Sequence, residues 1–434
     1  MTRRVLATLF RPFTRVHPEE AATAGLMALT AFLLLTAYYL LKTVREPLIL
    51  LHGGAEVKLY ARAAQAVLMA GVVHLYGELA RRVGRVRLLV IVFLFFISNL
   101  VVFAILAKLE VSIGLAFFLW VGLFSYTIVA QFWALAADVY SDEQGKRLFP
   151  LIGAGSSIGA VVGGLIAKAL VPLGPPVLMG VAVVVLLMSA ALVATVEKRR
   201  GAARPADGPK APEAPLAAKG AWNLIARDRY LLFIAGMAIF LNWVNSSGEY
   251  LLDRTLVHAA KDAAAGGAIS AGTFIGAFKA SYFSWYNSIA LALELLVVSR
   301  ILAVAGVRRA LYFLPFFGLA AYGSAIFFPT LAVMRLVKIG ENSMEYSLQD
   351  TTRHALFLVA DRAEKFVGKT AVDTVAVRIG AVMSALFVFV GTRLGWSTRT
   401  FAAINVALAL VWIGFVWLIG REHRRRELGI RRAE

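Results

Sequence analysis

The sequence predicts an all-α polytopic membrane protein, with twelve transmembrane helices in two six-helix pseudo-repeats. Three observations lead there. The 434 residues are 60% hydrophobic and only 16% charged, with a mean hydropathy of +0.74, a balance outside the range of soluble domains. Apolar runs of about 20 residues, each long enough to cross ~30 Å of hydrocarbon as a helix, recur along the chain. A short pattern also returns after 223 residues: Ala137-Asp138, six residues, then Gly145-Lys146 is echoed by Ala360-Asp361, six residues, then Gly368-Lys369. A second echo, Gly77 to Arg87 against Ser299 to Arg309, has an offset of 222 when Gly84 and Gly306 are aligned. Echoes at one spacing between apolar runs indicate two homologous halves. Membrane chains of this kind are mostly transporters with a substrate site where the halves meet.

The spans follow in order. Residues 22–51 form the first, preceded by Arg3, Arg4, Arg11 and Arg15; Pro12 and Pro18 interrupt this stretch and no small-residue cleavage pattern follows, so the span is read as uncleaved. The next are 57–79, 88–107, 112–137, 150–171 and 177–196. In the fifth, Gly155, Gly159 and Gly163 form a small-residue ridge that lets a neighbouring helix approach. The ridge lacks the Lys-Ser/Thr of a phosphate-binding loop and lies in a span, which disfavours an ATPase. An Ala/Pro/Lys-rich linker at 198–221 divides an N-terminal half, 1–197, from a C-terminal half, 222–434. The second half contributes 229–251, 277–299, 310–328, 330–350, 368–391 and 399–420, with a long outer loop over 261–276.

The net charge of +19 is distributed by side. The N-terminal arginines, Arg81 to Arg87, the linker cations, Arg300 to Arg309 and the C-terminal arginines all fall on one face of a twelve-span count. The opposite turn Pro172-Leu-Gly-Pro-Pro176 carries none. This is the positive-inside pattern, which places both termini in the cytoplasm of a bacterial inner membrane. The excess charge then serves topology and contact with membrane lipids rather than a nucleic acid polymer. There are no cysteines, the six histidines are scattered, and no Ser/His/Asp grouping appears, so neither a metal site nor another cofactor nor an enzyme is expected.

Ionisable residues within spans need a partner, a wet cavity or a function. Lys42, Arg45 and Glu46 precede Pro47; if the helix continues to Leu51 they face a cavity and Pro47 supplies a kink, and if it ends at Leu41 they reach the surface. The continuing helix is preferred. In the tenth span Arg335, Lys338, Glu341, Asn342, Glu345 and Tyr346 recur at steps of three and four and share a face. Internal ion pairing would explain part of that stripe; a polar face toward a central path explains all of it. Arg62, Glu249, Lys279, Glu294 and Arg378 are weaker single signals. Tyr282, Trp285 and Tyr286 offer an aromatic face that could stack a base, or simply pack.

The Gly77 to Arg87 segment resembles the loop between the second and third helices of the major facilitator superfamily, with Arg81 where that pattern has aspartate. Within that fold, Leu41-Lys-Thr-Val-Arg-Glu-Pro-Leu48, Phe132-Trp133 with Ala136 and Asp138, Gly145-Lys-Arg-Leu-Phe-Pro150, and Tyr346 to Asp350 with Gly368 to Asp373 resemble the ATP/ADP antiporter family. Asn245-Ser-Ser-Gly-Glu249 is similar to that family's seventh helix. The chain departs in lacking an acidic residue near Val121, in Asp138 for asparagine and in Arg45 for lysine.

The resemblance implies a major facilitator-like antiporter exchanging a nucleotide-like anion. The substrate-binding candidates are Lys42, Arg45, Glu46, Glu249, Arg335, Lys338, Glu341, Asn342 and Glu345. Gate and ion-pair candidates are Asp138, Lys146, Arg147, Arg353, Asp361 and Lys369. A monomer working on a small anion is expected. Two rivals remain open: a proton-coupled transporter of another solute, and a non-transporting membrane receptor or scaffold.

Overall fold

A computed structural model describes His17 and residues 19–82, 85–203, 225–267, 269–360, 368–369 and 372–433, with the side chains of 66, 70, 72–87, 89, 142, 146, 200–203 and 429–433 left out. All regular structure among these residues is helical. In chain order the helices are α1 (Ala21–Arg82), α2 (Arg85–Lys108), α3 (Gly114–Val139), α4 (Asp142–Leu170), α5 (Pro175–Ala203), α6 (Arg229–Ala265), α7 (Ala271–Ala310), α8 (Phe313–Phe327), α9 (Leu331–Met344 with its continuation to Leu356), α10 (Val372–Arg393) and α11 (Thr398–Ala433). Among the described residues nine helices are long and apolar enough to cross a membrane, and α8 is a shorter apolar one.

Two glycines divide helices that are otherwise continuous. Gly54 in α1 has φ 69° and Gly306 in α7 has φ 71°. That left-handed region is open to glycine at little cost. Gly306 is also the residue on which the second sequence echo aligns. The first span continues through Pro47 to Leu51, as preferred, and the non-helical residue falls at Gly54 and not at Pro47, where a kink is expected. Transmembrane helices tolerate an internal proline because neighbours supply the missing backbone partners.

Among the described residues three complete π-helical turns interrupt the second part of the chain: Glu294–Val298, Glu345–Gln349 and Val372–Ala376. Each inserts extra chain into a helix and rotates the residues beyond it onto a different face, a feature that concentrates at functional positions.

The chain folds as two compact units. The first comprises residues 1–53, 64–209 and 260–287; the second comprises 54–63, 210–259 and 288–434. Each thus contains a segment from beyond the linker expected at 198–221. The first unit buries one cluster that includes Leu34, Phe96, Phe117, Leu148 and Leu186; the second buries another around Leu231, Leu314, Trp412 and Val416.

The ridge in α4 has the role read from its spacing. A Cβ on Gly155, Gly159 or Gly163 would lie 2.5, 2.2 or 2.7 Å from the backbone oxygens of Ala28, Phe32 and Thr36 in turn. Three successive turns of α4 therefore lie directly on the backbone of α1, and Thr36 Oγ1 donates to the Gly159 carbonyl at 3.2 Å. This contact places Tyr38, Tyr39 and Lys42, the next turns of the same helix.

One expectation is corrected. Most of the outer loop read over 261–276 is helical, because α6 extends to Ala265 and α7 begins at Ala271. Its alanines are good helix formers, and they lengthen the flanking helices. Of the linker expected at 198–221, α5 includes the residues up to Ala203; residues 204–224 lie outside the described residues.

Candidate functional site

In the first unit, Lys42 and Glu46 lie one turn apart on α1. The Lys42 ammonium donates to the Tyr286 hydroxyl at 2.8 Å. It also stands 4.5 to 5.7 Å from the ring centres of Phe283, Tyr39, Tyr286 and Tyr38. Tyr39 is fixed in turn by the Tyr286 hydroxyl at 3.2 Å and by Asn287 Oδ1 at 3.1 Å. Aromatic faces attract a cation through their quadrupole and add no net charge. Glu46 is buried between two cations: Arg45 Nε at 3.2 Å and Lys279 Nζ at 3.6 Å. Arg45 also stacks over Phe118 at 4.7 Å. These groups are buried or half-buried, and the surface-reaching alternative for the first span is set aside.

The second unit is built around α9. Lys338 has no exposed surface; its ammonium lies 2.7 Å from Glu341 Oε2 and donates to the Asn245 carbonyl at 3.1 Å. Glu341 Oε2 accepts a second hydrogen bond from the Tyr322 hydroxyl at 2.7 Å. Gly248 makes room for that phenol: a Cβ there would fall 1.8 Å from the hydroxyl oxygen. Asn245 Nδ2 donates to Asn342 Oδ1 at 3.1 Å and also to Glu345. The Asn245 to Glu249 motif thus supplies an amide, a backbone carbonyl and a gap. Glu249 turns elsewhere, to Lys58 Nζ at 3.6 Å, which also binds Asp253 Oδ2 at 2.6 Å.

The stripe on α9 is thus partly as read. Lys338, Glu341 and Asn342 are buried, and Arg335 and Glu345 are half-buried. Tyr346, at 53% exposure, leaves the face. The π turn that begins at Glu345 rotates the residues after it, which helical spacing cannot foresee. Of the aromatic trio, Tyr282 and Tyr286 are buried but Trp285 is 56% exposed, so the three do not act as one face.

The gate candidates are less concentrated. Asp138 is half-buried in the last turn of α3, just before the Ser141/Gln144 capping box that starts α4. Arg147 Nη2 binds Glu20 at 3.1 and 3.2 Å, and Gln144 Nε2 joins it at 2.8 Å. Burial would raise the Glu20 carboxyl, but these hydrogen bonds and the Arg147 charge outweigh it and hold the group below the usual carboxylate range. Arg353 pairs with Asp350 at 2.8 Å and lies 3.6 Å from Asp373. Lys369 is half-buried. Asp361 and the Lys146 side chain lie outside the described residues.

Sequence reasoning missed Lys58, Asp253, Tyr322 and Glu20. Asp253 was discoverable: it stands four residues after Glu249, on the same face of one helix. Tyr322 was not, because nothing local links it to α9.

The chain's architecture recurs in solved transporters of low sequence identity. A nucleoside transporter, NupG, aligns with TM-score 0.65 and 12% identity over 90% of this chain and 98% of its own. A bacterial homolog of the human lysosomal transporter Spinster aligns with TM-score 0.59 and 12% identity over 95% and 99%. The Escherichia coli fucose:proton symporter FucP gives 0.51 and 15% over 91% and 98%. No curated protein matches the sequence itself. A family model described as TLC ATP/ADP transporter matches residues 267–423, which include α9, Lys338 and Glu341. That match spans about a third of the chain, and the helical fold is the one these solved transporters share.

Proposed function

We propose that the chain exchanges an anionic, nucleotide-like substrate by alternating access. The observation that carries this reading is the buried Lys338–Glu341–Tyr322 arrangement. Lys338 offers three donors to phosphate oxygens, and hydrogen bonds of this charge-assisted kind are the strong ones. When a phosphate takes the ammonium, Glu341 keeps the neutral Tyr322 hydroxyl but loses its cation. The swap satisfies Lys338 with a new anion and leaves Glu341 to draw in another cation, which would couple occupancy to movement. In the empty protein, Lys338 is neutralised by its own glutamate. Lys42 supports the same reading, since its ammonium could turn from the Tyr286 hydroxyl and the surrounding rings to a phosphate oxygen. Arg45 and Arg335 add cations for a polyanion, and Glu345 and Asn342 hold the amide of Asn245. Lys146, Arg147, Asp138, Arg353, Asp361 and Lys369 remain the groups we assign to the inner gate. The two halves, 1–197 and 222–434, would rock as repeats, with both termini cytoplasmic.

Counterflow in proteoliposomes tests the proposal. Radiolabelled ATP or ADP should enter faster when unlabelled nucleotide is trapped inside, with no dependence on a pH gradient. Uptake that follows the pH gradient and ignores internal nucleotide would replace exchange by proton coupling, with Glu341 or Glu345 as carrier. Saturable binding without flux would leave a receptor or scaffold.

A further inference from the structure

At the end of the second unit lies a cavity of about 490 Å³ that the transport reading does not use. Gly306 stands at its edge: the left-handed turn there breaks α7, and Arg308 and Arg309 just beyond it both line the recess. From the facing helix, α11, come Arg421 and Arg424. Glu427 also lines the recess, but its carboxylate lies 3.3 Å from His423 Nε2. Among the described residues none of these four arginines forms an ion pair with a carboxylate; their neighbours on α11, Arg425 and Arg426, do so with Glu422 and Asp228. Four cations against one acid make the recess strongly positive.

Its rim is apolar and open. Trp417 lines the recess, is 51% exposed and lies 4.7 Å beneath the Arg421 guanidinium. Val304 and Phe313, adjacent in sequence to lining residues, are 86% and 43% exposed. A tryptophan beside exposed aliphatic surface and next to clustered arginines marks the level where hydrocarbon gives way to headgroups. A free solute would have no use for the apolar rim, whereas a lipid would use both parts.

We propose that this recess holds the phosphodiester headgroup of an anionic phospholipid, with Arg308, Arg309, Arg421 and Arg424 on the phosphate and the acyl chains along Trp417, Val304 and Phe313. Planar guanidinium groups suit phosphate oxygens two at a time. A basic group near an anionic bilayer surface contributes enough for a roughly fivefold change in affinity each. Losing three of the four should therefore reduce retention by at least about tenfold, even with screening.

The test uses the full chain in detergent and native mass spectrometry with added phosphatidylglycerol or phosphatidylcholine. The intact protein should retain phosphatidylglycerol well above phosphatidylcholine, and Arg308→Ala/Arg421→Ala/Arg424→Ala should abolish that preference. A second variant, Gly420→Trp, keeps every charge and fills the cavity, where a Cβ at Gly420 meets nothing within 4 Å; it should lose the preference too and guards against misfolding of the first. Retention unchanged in both variants overturns the site. Displacement of phosphatidylglycerol by millimolar inorganic phosphate or ATP would instead assign it to a free phosphate. Nucleotide counterflow is read separately, so failure of the transport proposal leaves this result standing.

Discussion

Two lysines in the two units are solvated by opposite means. Lys42 is held among four rings and the hydroxyl of one of them. Lys338 is fully buried against a carboxylate that cancels it. Ring contacts bring no negative charge of their own and cost little to loosen. A buried ion pair, once one partner is lost, leaves the other charge stranded in a low dielectric. The comparison teaches that a lysine held by aromatic faces and one fixed by a buried carboxylate should respond differently when they are truncated.

The largest effect should come from breaking the pair. Lys338→Ala leaves Glu341 buried and should lower stability by about 3–5 kcal/mol, read as the thermal midpoint in detergent. Lys338→Met/Glu341→Leu removes both charges and should recover most of that loss while abolishing counterflow. A double variant that transports normally would reduce the pair to packing.

A second test displaces the helix that carries Lys42. Gly159→Val puts side-chain atoms against the Phe32 carbonyl, already 2.2 Å from where a Cβ would stand. Overpacking of this kind costs about 1–3 kcal/mol, and here it should also spread the Lys42 rings and raise the half-saturation concentration. Normal affinity in a destabilised Gly159→Val protein would show that the rings do not depend on the ridge.

Lys42→Ala addresses the ring-held charge itself. Affinity for nucleotide should fall about tenfold, on the order of 1.4 kcal/mol, with the thermal midpoint nearly unchanged. A large drop in midpoint would place Lys42 in the same class as Lys338 and erase the contrast.

The smallest effect is expected at Glu20, which fastens the start of α1 to Arg147 and Gln144. Its folded pKa lies below the unfolded value, so its stabilisation is present above the unfolded value and fades as pH falls through the folded one. Glu20→Gln should cost about 0.5 kcal/mol at neutral pH, and the difference from wild type should vanish in acid. A difference that persists there would point to shape rather than charge.

Much of this was legible in the sequence, for physical reasons. Hydropathy locates spans because lipid forces every backbone group into a helix. The Gly155, Gly159 and Gly163 ridge was readable because close helix approach demands small residues at one spacing. Steps of three and four brought Lys338 and Glu341 together because α9 is regular up to Met344. Legibility ends where order along the chain stops reporting position in space. Tyr322 reaches Glu341 from another helix, Lys58 meets Asp253 across 195 residues, and the π turn at Glu345 redirects Tyr346.

The contact between Gly248 and the Tyr322 hydroxyl carries an evolutionary consequence. Positions 248 and 322 form a lock in which one residue supplies the volume that the other must forgo. A descendant that gains even a methyl group at 248 has to shorten 322 in the same lineage, and Glu341 then loses its neutral donor. The two sites should therefore change together or not at all, and a collection of diverged sequences can be read for that signature without any transport measurement.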